Sequence, residues 1–237
     1  MEAMKELKLY DSVDHWIYSE THGIVQSGPF AGMLLLDRQE WNDGNLSTKC
    51  LGCYEEELHP VIEYQIERLA KYDEPKIVDL GCAEGYYAIG LARRLPNAVI
   101  YGVDISKGSL AILQRAAEIN GVNIRIDCDI AEVMKRPDLV ICDVEGDEIN
   151  YLKLDFFADL IRADIIVECH NTEEYPIADI LLQRFAETHE IEHIFEGARN
   201  PNQYAILRGR ESLHRWMAIC EGRPCMMDWL VMKAKQR

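Results

Sequence analysis

Short, nearly continuous apolar runs alternate with stretches of helical spacing through the middle of this chain. Lys76 to Leu80 is bounded by Pro75 and Gly81, and Tyr86 to Leu95 then carries small and apolar residues at helical spacing until Pro96. A second run, Ala98 to Val103, ends at Asp104, and Ser106 is placed to cap a helix that reaches Ile119 and stops at Asn120-Gly121. Val122 to Cys128, Asp138 to Cys142 and Asp164 to Cys169 read as third, fourth and fifth strands. Runs so short, β-branched and unbroken mark strands covered on both faces. Their alternation with helices implies right-handed crossovers in a doubly wound α/β sheet. After a helix from Ile177 to Thr188, the run Glu190 to Phe195 and the run Gln203 to Leu207 flank a Gly197–Asn202 turn, and so short a link requires antiparallel pairing. The expected fold is therefore a seven-stranded, mostly parallel sheet closed by a C-terminal antiparallel hairpin strand. Residues 1–75 form an N-terminal cap segment with a helix from Glu56 to Lys71, residues 76–208 the ligand-binding core, and residues 209–237 a helical tail.

Charge narrows the choice of ligand. Lys and Arg number 25 against 41 Asp and Glu, a net of −16. Such a surface repels phosphate backbones and anionic lipid, so no nucleic-acid or membrane partner is expected, while a cationic or neutral small molecule meets no opposition. No apolar run approaches the roughly 18 residues of a membrane span, and the charged segment Met1 to Val13 has no signal-peptide core. Four of the eight cysteines, Cys82, Cys128, Cys142 and Cys169, fall in or beside apolar runs, cytoplasmic usage rather than a disulfide framework.

In an open α/β sheet, ligands bind beyond the carboxyl ends of the strands. After the first strand comes Asp79-Leu80-Gly81-Cys82-Ala83-Glu84-Gly85, where the glycines let the backbone turn tightly and the next helix aims its N–H groups at a ligand. Asp104 follows the second strand directly and can accept two ribose hydroxyl protons, and Asp127 and Asp129 close the third, where an acid can hold an adenine amino group. Nicotinamide dinucleotides and S-adenosylmethionine both carry adenosine. The GxGxxG spacing of the former is not met here, because Gly81 and Gly85 enclose Ala83 and Gly90 falls out of place. The loop instead matches D-x-G-x-G-x-G with Ala83 at the middle glycine, and a sulfonium cation suits Asp79 and Glu84.

Asp79–Tyr87 (DLGCAEGYY), Asp143–Glu148 (DVEGDE) and Val167–His170 (VECH), with Leu51-Gly52-Cys53-Tyr54-Glu55 ahead of the core, resemble the FkbM-type family of S-adenosylmethionine-dependent methyltransferases. The resemblance spans residues 50–208. It implies the Rossmann-like class I fold and methyl transfer, usually to a hydroxyl oxygen of a small molecule or sugar. Carried over, Gly81, Cys82, Ala83, Glu84 and Gly85 cradle the methionine portion, Asp104 and Ile105 meet the ribose end, and Asp129 or Asp127 the adenine.

A neutral alcohol is a poor nucleophile and needs a base. Asp143, at the end of the fourth strand and beside the cofactor, and His170, at the end of the fifth, are the candidates. Catechol-type O-methyltransferases hold Mg²⁺ at these strand ends, and Asp143, Glu168 and Asn171 offer oxygen ligands, although His170 departs from that pattern. The Asn/Asp-Pro-Pro-Tyr block of adenine and glutamine N-methyltransferases is replaced by Asp143-Val144-Glu145-Gly146. Cys50, Cys53, Cys220 and Cys225 would make a four-thiolate zinc site only with a loose second spacing. Glu55 to Glu57 read as a solvated helix start; His15, Trp16, Trp41 and Tyr54 read mostly as packing of the cap, with an acceptor pocket as the alternative. His214, Trp216, Trp229, Met226, Met227 and Met232 read as the buried face of the tail, where a second copy of the chain could dock. The competing functions are a non-catalytic binding or regulatory module and a nicotinamide-dependent oxidoreductase.

Overall fold

The computed structural model describes residues 2–37, 45–126, 128–172, 174–223 and 225–236. Among these residues six strands form one sheet: β1 (Lys76–Leu80), β2 (Val99–Val103), β3 (Leu139–Cys142), β4 (Asp164–Glu168), β5 (His189–Phe195) and β6 (Asp228–Ala234), in the order β2-β1-β3-β4-β6-β5. The first four run parallel, with Ile77 beside Ile100 and Leu139, while β6 pairs antiparallel with both β4 and β5. The helices are α1 (Glu2–Thr21), α2 (Leu46–Leu51), α3 (His59–Leu69), α4 (Tyr86–Arg94), α5 (Lys107–Asn120), α6 (Ile130–Val133), α7 (Glu148–Tyr151), α8 (Ile177–Phe185) and α9 (Ser212–Met217).

Alternate strand residues face opposite layers. Ile77, Ile100, Leu139, Ile141, Ile166, Trp229 and Val231 pack with α3, α4 and α5, whereas Val78, Leu80, Val140, Cys142, Ile165, Val167 and Leu230 pack with α8 and Leu152. This two-sided burial is why the strands read as unbroken apolar runs. Ser106 caps α5 as expected, accepting from Ser109 N at 3.1 Å.

Among the described residues two expected strands are not formed, and the sheet has six strands rather than seven. Among the described residues of the run 122–128, the pairing with β2 is at Arg125, whose N–H and C=O bond Ile100 and Gly102 at 2.9 Å each. The run lies at the edge with a single neighbour, and past it the chain turns into α6. Gln203 to Leu207 coils into 3₁₀ turns started by Pro201, with Asn200 accepting from Asn202 N. Its Leu207 packs against Cys50 and Cys53 of the N-terminal segment, not on the sheet. The antiparallel partner of β5 is β6, from within the stretch expected to be a helical tail. Among the described residues of that stretch, Ser212–Met217 is the α-helical part. Trp229, Leu230, Val231 and Met232 are all buried, a pattern that suits a buried strand and a buried helix equally.

Among the described residues, no helix is long and apolar enough to cross a membrane.

Candidate active site

The sheet order reverses between β1 and β3, which is where a crevice opens in such folds. A cavity of about 260 Å³ lies there, lined by Gly81, Ala83 and Glu84 after β1, by Asp104 and Ile105 after β2, and by Asp143, Val144 and Glu145 after β3. Tyr54 and Lys49 from the N-terminal segment and Tyr151 from α7 complete the wall.

The loop after β1 is shaped by close approach. Gly81 has φ +78°, and a Cβ there would fall 1.5 Å from the Asp143 carbonyl oxygen, so β1 and β3 can carry their loops side by side only with glycine at this position. Gly81→Ala is expected to destabilise the fold by about 2–3 kcal/mol, read from denaturant unfolding. Ala83 is itself left-handed, at φ +44°, and its N–H donates to Asp104 Oδ2 at 2.9 Å. Asp104 Oδ1 accepts from Ser106 N at 2.7 Å. Both oxygens are thereby fixed, and each keeps a further lone pair for a ligand hydroxyl. Ile105 stands beside them, 88% exposed, offering a bare apolar surface to a flat ring.

Several residues expected at the cofactor lie off the lining of this cavity. Asp79 is buried in β1 and spends its carboxyl accepting from Ala88 N at 3.0 Å, so it holds α4 in place and does not line the cavity. Burial pushes that carboxyl up to about 8, opposed by the Ala88 hydrogen bond. Cys82 is buried beneath the loop beside Gly102, and Gly85 caps α4 and faces a neighbouring apolar crevice instead. Asp129 accepts from Ala131 N to cap α6, outside the cavity lining. Asp127 and Trp41 lie outside the described residues.

The end of the cavity beyond the loop is crowded with acids. Asp143 Oδ1 is buried with no hydrogen-bond partner, and His170 Nε2 stands 3.7 Å from it and 3.4 Å from Glu145. Behind the ring, the fully buried Glu148 of α7 lies 2.7 Å from His170 Nδ1. Desolvation, with Glu55 adding repulsion, pushes the Asp143 carboxyl up to about 7, while His170 pulls it down. Burial alone would lower the His170 pKa, but the hydrogen bond to Glu148 and the charges of Asp143, Glu148 and Glu145 leave it raised. The two titrate as a unit, with a protonated imidazole helping Asp143 to ionise.

Sequence reasoning missed an arginine that gathers buried acids near Asp143. Arg223, from the stretch between β5 and β6, reaches Glu168 at the end of β4, Glu55 at 3.0 Å and Glu221 at 2.8 Å. Glu55 also accepts from the Tyr87 hydroxyl, and Arg199 bridges Glu221 and Glu57. Glu55 is thus 2% exposed, not part of a solvated helix start, because its charge is met by residues more than 160 positions away. Burial, with Glu55 and Asp143 alongside, pushes the Glu168 carboxyl up to about 10 against the pull of Arg223.

The ligands expected for Mg²⁺ are not assembled. Glu168 is engaged by Arg223, and Asn171 turns its amide to Asp228 and to Ala178 N. Among the described residues, the metal-competent cluster is Asp143, Glu145 and His170, without Glu168, Asn171 or the four cysteines of the imagined zinc site. Tyr54 does line the cavity; His15 is exposed. In the tail, Trp229, Met227 and Met232 are buried but Trp216 and Met226 are exposed.

The donor set suits S-adenosylmethionine: a loop with no room for a Cβ, an aspartate whose two oxygens are pre-oriented, and acids around an unpartnered carboxylate oxygen where a sulfonium would sit. Comparison with known proteins agrees. Residues 77–163 match the family model described as a methyltransferase domain. A release factor glutamine methyltransferase of Chlorobaculum tepidum is 41% identical over 71 residues, 28% of this chain and 24% of that protein. A carboxy-S-adenosyl-L-methionine synthase of Campylobacter hominis is 28% identical over 102 residues, 42% of this chain and 40% of that protein. The chain thus matches well under half the length of these curated relatives. The solved structure of precorrin-6y C5,15-methyltransferase from Geobacter metallireducens superposes with a TM-score of 0.52 at 14% identity, over 74% of this chain and 88% of that one, which shows the fold.

Proposed function

We propose that this chain is an S-adenosylmethionine-dependent methyltransferase that acts on a hydroxyl oxygen of a small molecule or sugar. The observation that carries the reading is the cavity at the β1–β3 switch, where Gly81, Ala83, Glu84, Asp104 and Asp143 converge inside the region matched as a methyltransferase domain. Asp104 would hold the ribose, the backbone of Gly81 and Ala83 with Glu84 the methionine portion, and Ile105 would flank the adenine. S-adenosylmethionine supplies a methyl group on a sulfonium that leaves readily. What this chain adds is placement and proton removal. Asp143 faces the cavity with a carboxyl pushed up to about 7, close to the working pH at which a general base is most effective. His170, anchored by Glu148, lies behind it as charge partner.

The relatives' names span a release-factor glutamine and a carboxylated form of S-adenosylmethionine, so the acceptor is argued from the site. An oxygen acceptor is favoured because Asp143-Val144-Glu145-Gly146 follows β3, with a carboxylate base where amide-binding enzymes carry Asn/Asp-Pro-Pro-Tyr. The FkbM-type resemblance supports the same choice.

Titration calorimetry with S-adenosylhomocysteine and with NADH tests the cofactor, and transfer of a labelled methyl group from S-adenosylmethionine to a panel of hydroxylated acceptors tests the reaction. Binding of S-adenosylhomocysteine with no heat from NADH is expected. The reverse would establish an oxidoreductase, and binding without transfer to any acceptor would favour a binding module.

A further inference from the structure

The short helix α9 divides its apolar residues between two sides. Met217, with Ala218 and Ile219 after it, is buried in a cluster with Val13 and Ile17 of α1 and with Leu207. Leu213 and Trp216 lie one helical turn apart, hence on one face, and are 59% and 55% exposed. Just ahead of the helix, the Arg210 guanidinium stands 4.1 Å from the centre of the Trp16 ring of α1, and its Nη2 lies 3.8 Å from Glu20 Oε1. Both side chains of that ion pair are about half exposed. Arg208 and Glu211 are exposed on the same stretch, and Arg215 is half-buried on α9. An apolar centre holding tryptophan, ringed by arginine and other charged residues, is the make-up of a protein–protein contact, and tryptophan and arginine carry much of the binding energy in such contacts.

Charge decides what can cover this face. The chain carries −16, so two copies repel over most of their surfaces. Contact is favoured where opposite charges stand together, and here Arg208, Arg210 and Arg215 are interspersed with Glu20 and Glu211. A two-fold contact sets one patch against itself, so the patch must hold both members of every pair. A wholly basic patch would fit an acidic stranger, whereas this mixed one fits its own copy. The Arg210–Glu20 pair is long and exposed, a kind of pair that contributes little within one chain, and its members are open to exchange between chains.

We infer that a second copy of this chain docks on α9, with Leu213 and Trp216 of the two copies packed about the two-fold axis and Arg210 of each facing Glu20 of the other. The inference does not depend on the methyltransferase reading.

Sedimentation velocity on the full chain, from about 1 to 100 μM, tests it. The unaltered protein is expected to pass from monomer to dimer within that range. Leu213→Ser combined with Trp216→Ser should weaken dimerisation about 30-fold or more. At a concentration where both proteins are monomers, its denaturant midpoint should match the parent's, because the two side chains are exposed. Arg210→Glu and Glu20→Arg should each weaken the dimer about tenfold or more by setting like charges across the axis. An equimolar mixture of these two variants should regain the parent's dimer, since each supplies the charge the other lacks. No pairing within one chain produces that recovery. A parent that stays monomeric up to about 100 μM would overturn the inference. So would a dimer indifferent to the Leu213 and Trp216 changes, which would place the contact elsewhere, or a mixture that associates no better than its components. Should the double serine variant fail to fold, the two charge variants and their mixture carry the same test.

Discussion

Asp143→Asn is expected to lower methyl transfer about 100- to 10,000-fold, the contribution of a positioned general base, while affinity for S-adenosylhomocysteine stays within about threefold. The thioether product is the right probe, because it carries no sulfonium and does not register the lost charge. Asparagine keeps the shape of the side chain and the close approach of the Asp143 carbonyl to Gly81, so a fall in turnover without a fall in binding assigns the loss to the proton. The pH dependence gives a second handle. Desolvation raises the Asp143 carboxyl to about 7, and the base acts when ionised, so turnover should climb as pH rises through neutrality. His170 lowers that value by its charge. His170→Ala should therefore move the rising limb to higher pH, a shift visible in a kcat profile even where the plateau is reduced. A plateau unchanged in Asp143→Asn would remove this carboxylate from the mechanism and leave His170 as the base.

How far the chain discloses this site depends on the kind of contact involved. The βα loop after β1, Asp104 after β2 and Asp143 after β3 are legible because each is fixed by local sequence: a strand ends, and the next residue lies at the sheet rim. The sheet order places those rims together. Asp79 and Asp129 each also satisfy a nearby helix N–H, at Ala88 and Ala131, a capping role that a strand-end position alone does not disclose. The missing strands show where periodicity stops deciding. Val122 to Cys128 has the composition of a strand but one neighbour to pair with, and Trp229 to Met232 suits a buried strand or helix until β4 and β5 supply partners on both sides. Least legible are Lys49, Glu55, Glu148 and Arg223. Their partners are distant in sequence, so Glu55 reads as solvated until Arg223 is seen beside it. One signal was available: a lysine in a short helix whose other residues are apolar or small calls for an anionic partner.

The segment between β5 and β6 deserves its own test, because it replaces the short hairpin link that the chain suggests and brings Arg223 across the sheet end. Arg223 is 11% exposed and serves three carboxyls, Glu55, Glu168 and Glu221, that are 5% exposed or less. Arg223→Met keeps the length and apolar stem but leaves those acids without their cation, and a buried pair broken from one side costs about 3–5 kcal/mol. Denaturant unfolding at pH 7 should show a loss of that order. The loss should shrink on acidification. Burial already raises the Glu168 and Glu221 carboxyls above their ordinary range, and Arg223 opposes the rise in both. Without Arg223 their folded-state values climb further above those of the unfolded chain. The folded variant then binds more protons than the unfolded chain between the two values, so its stability falls as pH rises through that window and recovers as pH is lowered. The unaltered protein should show a shallower slope over the same range, since Arg223 stabilises the ionised forms. If Arg223→Met unfolds at the same denaturant concentration as the parent at neutral pH, the cluster contributes no net stability. Arg223 would then matter only through the position of Glu168 beside Asp143, which a change in turnover at unchanged stability would reveal.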